Sequence, residues 1–137
     1  MDKDTVSAKL ESLSKCVARI EEKRPASVDE LKSDIDAQDI IVLNLERAIQ
    51  VCVDIGSHIL TDHPGASPSS MAGVFREISA KGIIEKPLAE RLSRAVGFRN
   101  IAVHEYEEIS WDIVFSIITG QLNDFRNFAG AVMGLMK

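Results

Sequence analysis

The chain has 137 residues, 45% of them hydrophobic but only 5% aromatic, and a formal net charge of −5. That length fits one domain over residues 1–137, large enough to bury roughly two-thirds of its unfolded surface, and the aliphatic, proline-poor balance suits helices better than a β-sandwich. An acidic body argues against indiscriminate nucleic-acid binding, the polar amino terminus lacks the core of a secretory signal, and no apolar run approaches the roughly 20 residues of a membrane span, so a soluble, cytoplasmic protein is expected.

The periodicity predicts a first helix over about residues 4–22, with Val6, Leu10, Leu13, Val17 and Ile20 on one stripe, stopping at Arg24-Pro25. Ser27 followed by Glu30 forms a capping box for the next helix. Its stripe runs from Leu31 and Ile35 through Ile41, Leu45, Ala48, Cys52 and Ile55 to Ile59, with a bend expected near residues 33–37. Turn formers from Thr61 to Ser70 predict a loop. A short helix over residues 71–80 follows and ends at Gly82; Pro87 then suits the first turn of a helix that carries Leu88, Leu92, Ala95 and Val96 inward and continues past Gly97. Ser110 can cap a last helix whose apolar positions recur from Val114 to Val132. Trp111 beside it reads as a packing anchor and His63 as an exposed loop residue without a role. Five amphipathic helices joined by short loops predict an up-and-down, all-α bundle. Cys16 and Cys52 stand in helical segments outside any ligand spacing and read as packing residues.

One stretch is too polar for packing alone: "GFRNIAVHEYEE", residues 97–108. Successive helical residues rotate by about 100 degrees, so on a continuous helix Asn100 and His104 share one face and Arg99 and Tyr106 another. Arg99 and His104 then stand about 140 degrees apart, and two chains packed across this helix offer the better way to gather both in one cleft. Arginine matches phosphate oxygens with a permanent fork of donors, and an imidazole exchanges protons near neutrality. These residue types suit transfer at an RNA phosphodiester, in which the 2′-hydroxyl is the nucleophile and neither metal nor cofactor is needed. A symmetric dimer supplies one histidine as base and another as acid.

The segment "RNIAVHEY" resembles the Arg-x4-His-x-Tyr motif of the HEPN superfamily, and specifically its HepT-like toxins. The similarity extends through "ERAIQVCVDIGSHIL" and "LAERLSRAVGFRN" and covers about residues 30–130. The resemblance implies a bundle of five to six helices, homodimeric with the motif at the interface, acting as a metal-independent endoribonuclease toxin. It also implies a minimal nucleotidyltransferase antitoxin as partner. Carried over, Arg99 and His104 are the catalytic pair, Asn100 is the polar residue supporting them, and Tyr106 is the motif tyrosine that the antitoxin can adenylylate. An adenylate there adds bulk and negative charge where substrate phosphate must bind.

Charge around the motif is divided. Glu105, Glu107, Glu108 and Asp112 repel RNA on one flank. Residues 76–99 carry six basic side chains (Arg76, Lys81, Lys86, Arg91, Arg94, Arg99) against three acidic ones (Glu77, Glu85, Glu90), a net excess of three positive charges across which RNA is expected to enter. Asp54 and His58, one turn apart on the long helix, read either as a surface pair or as second-shell groups of the same cleft. Two other functions fit the residues: a noncatalytic helical dimer that binds a nucleotidyltransferase, and a histidine phosphotransfer domain, which the acidic neighbours of His104 oppose.

Overall fold

The computed structural model describes residues 1–66 and 68–137. The loop expected over residues 61–70 includes Ser67, which lies outside the described residues. Every long element is a helix, as the composition requires: α1 (Lys3–Lys23), α2 (Val28–Ser33), α3 (Ile35–Leu60), α4 (Met71–Ala80), α5 (Lys86–His104), a 3₁₀ turn (Tyr106–Glu108), α6 (Trp111–Gly120) and α7 (Leu122–Leu135). Two expected helices are each divided, so among the described residues seven α-helices stand where five were read.

The first division has a local cause. Ser33 Oγ donates to the Glu30 carbonyl, and Asp34, in extended conformation, accepts from the Ala37 N–H as cap of α3. Short polar side chains here compete with the helix for its own backbone groups. The Gln38 amide then donates to the carbonyls of Leu31 and Lys32, so the freed acceptors remain bonded. The break resets the helical phase, and Ile35, expected inside, is 69% exposed. The Ser27 cap accepts from Glu30 as expected, while the Glu30 carboxylate reaches one residue further back than a capping box requires, to the Ala26 N–H.

The second division depends on a distant residue. Arg24, just past the end of α1, donates to the Ile118 carbonyl at 2.7 Å. A continuous helix would use that acceptor for the Leu122 N–H. Gly120 adds backbone freedom, and the chain turns at Gln121 before α7 begins. Gly82, at φ +77, closes α4 with paired bonds from Ile83 N–H to Ile78 and from Gly82 N–H to Ser79.

The start of α1 meets the end of α3: the Asp2 N–H donates to His58 Nε2 at 3.0 Å, and Lys9 pairs with Asp54 at 3.7 Å. These helices therefore run antiparallel. α7 is tied to α1 by Arg126 with Glu21 and to α5 by Arg91 with Asp124. The core between them is apolar, with no buried polar or charged residue among those described, and Phe75 and Phe128 meet edge to face at 6.0 Å near its centre. Cys16 and Cys52 are free and buried, and burial pushes both thiols up from their usual range, consistent with packing. Among the described residues no helix is long and apolar enough to cross a membrane.

Gly56 marks the closest approach of α3 to α4. A Cβ there would lie 2.5 Å from Cγ1 of the buried Val74, whose β-branched side chain has little freedom to retreat. Gly97 on α5 has open space around it. Thermal melting should therefore separate them: Gly56→Val costs about 1–3 kcal/mol and lowers Tm by several degrees, whereas Gly97→Ala is neutral or gains up to about 1 kcal/mol.

Candidate functional site

The polar stretch sits where α5 ends. Glu105 leaves helical conformation at φ −143 and ψ 56, although its N–H still bonds the Ile101 carbonyl at 2.8 Å. A 3₁₀ turn follows, closed by Glu108 N–H to the Glu105 carbonyl and Ile109 N–H to the Tyr106 carbonyl, and buried Ile109 anchors it. Arg99, Asn100 and His104 are thus helical and Tyr106 is not. The shared face expected for Arg99 and Tyr106 does not form, because the helix stops two residues before the tyrosine.

Arg99 is half-buried. One terminal nitrogen donates to Asn100 Oδ1 at 3.3 Å and approaches Met71 Sδ on α4 at 3.9 Å. Its Nε is buried and has no hydrogen-bond partner among the described residues. That buried N–H keeps an unmet demand for an acceptor, and the terminal nitrogens carry the donors that suit a phosphate. Asn100, exposed beside it, holds the fork in place. His104 is exposed one turn further on, with no side-chain hydrogen bond among the described residues. No hydrogen bond joins Arg99 to His104 among the described residues.

Tyr106 points to a different element. Its hydroxyl donates to Asp39 Oδ1 on α3 at 3.0 Å, and its ring meets Trp111 edge to face at 6.3 Å. Trp111 is half-buried against the core, the packing position expected of it. Burial first, then the Asp39 hydrogen bond and charge, push the phenol up to about 12. Asp39 gave no signal in the sequence: it is one acid among several on a polar helix face, 67 positions from its partner.

Asp54 and His58, considered as second-shell groups, find their partners elsewhere. Asp54 accepts from Gln50 at 2.9 Å and pairs with Lys9, and His58 accepts from the Asp2 N–H. Both serve the packing of α1 on α3 and touch no motif residue. The basic side is also thinner than its composition suggests, since Arg91 is held by Asp124 at 3.0 Å. Arg94 stays exposed and borders a groove of about 320 Å³ with Phe98, Ile101, Glu108, Ile109 and Ile113. At its rim Ile101 and Ile113 are exposed, the latter by 57%, and Val103 is exposed elsewhere on α5.

The model of the ribonuclease HepT-like family matches residues 13–132. The chain belongs to that family. Among its HepT-like relatives, the mRNA nuclease HepT of Shewanella oneidensis is 33% identical over 94% of this chain and 96% of its own. The tRNA nuclease HepT of Aphanizomenon flos-aquae is 26% identical over 88% and 82%. A solved structure of the tri-AMPylated Shewanella oneidensis HEPN toxin in complex with the MNT antitoxin superposes with a TM-score of 0.89 at 32% identity, covering 98% of this chain and 99% of that one.

The single tyrosine of this HepT-like chain makes its environment measurable. Absorbance of the phenolate should titrate near pH 12 in the folded protein and move back toward 10 in Asp39→Ala. The folded value is the raised one, so the contact's contribution to stability is complete below pH 10 and is lost as pH rises toward 12.

Proposed function

We propose that this protein is an endoribonuclease toxin, cleaving RNA without a metal and neutralised by a nucleotidyltransferase antitoxin that adenylylates Tyr106. The observation that carries the reading is the buried, unpartnered Nε of Arg99, held by Asn100, one turn from an exposed His104. Arg99 takes the scissile phosphate, and His104 removes the proton from the neighbouring 2′-hydroxyl, which attacks phosphorus. The departing 5′-oxygen needs an acid, and His104 of a second copy supplies it. The names of the relatives support RNA as substrate, and they divide between mRNA and tRNA. The chemistry of the phosphodiester is what carries over, not the choice of sequence. The setting is cytoplasmic, where RNA and nucleoside triphosphates are available.

The homodimer is part of the same reading. Ile101, Val103 and Ile113 expose apolar surface beside the motif, and a two-fold contact there would bring two copies of Arg99 and His104 into one cleft. Adenylylated Tyr106, at the rim of that cleft, blocks it by bulk and like charge. The tri-AMPylated relative supports this route of control.

His104→Ala should abolish the growth arrest that the wild type causes and lower RNA cleavage by roughly 10²-fold or more. Cleavage should persist in chelator and leave a 2′,3′-cyclic phosphate; inhibition by chelator would contradict the metal-free step. Ile113→Glu should convert the dimer to monomer in sedimentation and reduce cleavage with it. The lack of any hydrogen bond joining Arg99 and His104 among the described residues favours a second reading, a noncatalytic dimer that only binds the nucleotidyltransferase. It predicts equal growth for His104→Ala and wild type.

A further inference from the structure

Tyr106 reaches across the fold to a carboxylate. Its hydroxyl donates to Asp39 Oδ1 at 3.0 Å, and Asp39 is that hydroxyl's hydrogen-bond partner among the described residues. Both ends of the contact are rigidly mounted. Asp39 lies in the second turn of α3, which Asp34 caps and whose Ala37, Ile41 and Val42 are buried. Tyr106 stands on the 3₁₀ turn that Ile109 anchors, with Trp111 against its ring. Yet the pair is open to solvent: Asp39 is exposed and Tyr106 is 42% exposed, so an electrophile can approach the hydroxyl.

A phenol that becomes a nucleophile must lose its proton, either before the attack or during it. Burial and the Asp39 contact push this phenol to about 12. At neutral pH the fraction already ionised is on the order of one in 10⁵, too small to carry the reaction. The proton therefore leaves as the bond forms, and its acceptor must already touch the hydroxyl.

We propose that Asp39 is the catalytic base for adenylylation of Tyr106, so that the toxin chain supplies both nucleophile and proton acceptor while the antitoxin presents the nucleoside triphosphate. The proposal rests on Tyr106 being the modified residue. The phenolic oxygen attacks the α-phosphorus, forming one P–O bond. The bond from that phosphorus to the oxygen bridging to the β-phosphate breaks, and pyrophosphate leaves with the electron pair. The phenolic proton passes to the Asp39 carboxylate and from there to solvent. Once the adenylate is attached, no proton remains to be shared, and the new phosphodiester anion faces the Asp39 anion. Like-charge repulsion then drives the modified side chain off α3, toward the cleft it is to block.

The test uses this chain in complex with its nucleotidyltransferase antitoxin, labelled magnesium ATP, and single-turnover measurement of adenylate on Tyr106 by mass spectrometry. Asp39→Asn keeps an acceptor oxygen for the hydroxyl and removes the basicity; Asp39→Ala removes both; Asp39→Glu keeps the carboxylate. Transfer should slow by roughly 10²-fold or more in Asp39→Asn, about as far as in Asp39→Ala, with Asp39→Glu at least about tenfold faster than Asp39→Asn. Co-elution with the antitoxin and an unchanged melting temperature establish that the variants fold and bind. An Asp39→Asn rate within about threefold of wild type overturns the proposal, because the contact then only positions the ring. Wild type that takes no label on Tyr106 overturns the assignment of the modified residue, and the base with it.

Discussion

The termination of α5 at His104 is the constraint on which the rest of the site depends. One more helical turn would carry Tyr106 round on the helix and away from Asp39. Because Glu105 breaks the helix and Ile109 buries itself just beyond, the motif splits into two parts with different attachments. Arg99, Asn100 and His104 stay on α5, with Arg99 against Met71 of α4. Tyr106 docks on the start of α3. On the proposed reading, the residues that act on substrate and the tyrosine that receives control are close in sequence but held by separate elements, so the second can be altered without unfolding the first.

On the proposed reading, the same arrangement leaves the site incomplete in one chain. The orphaned Nε of Arg99 and the exposed imidazole of His104 share no hydrogen bond, and Ile101, Val103 and Ile113 leave apolar surface uncovered next to them. The proposed two-fold partner would answer these features together: it would cover apolar surface, bring a second histidine into the cleft and double the positive charge available to a phosphate. With a formal net charge of −5 and Arg91 neutralised by Asp124, the attraction of one chain for RNA rests on Arg99 and the exposed Arg76, Lys81, Lys86 and Arg94.

Features decided within a few residues could be read from the sequence. The stripes of α1 and α3, the caps at Ser27 and Ser110, the loop after Leu60 and the glycine end of α4 are of this kind. So was the Arg-x4-His-x-Tyr motif. Features decided across the fold were hidden. The split between α6 and α7 turns on Arg24, 94 positions from the carbonyl it takes, and Asp39 stands 67 positions from the tyrosine it holds. Asp54 and His58 read either as a surface pair or as groups of the motif's cleft, because spacing records a shared helix face but not which element covers that face. Here α1 covers it.

Whether the site is built from two chains is most directly measured with a covalently tethered dimer carrying one wild-type copy and one His104→Ala copy. A composite cleft needs both histidines, and RNA cleavage should fall by roughly 10²-fold, as in the double variant. Retention of about half the wild-type rate, the result for two independent sites, would contradict a shared cleft.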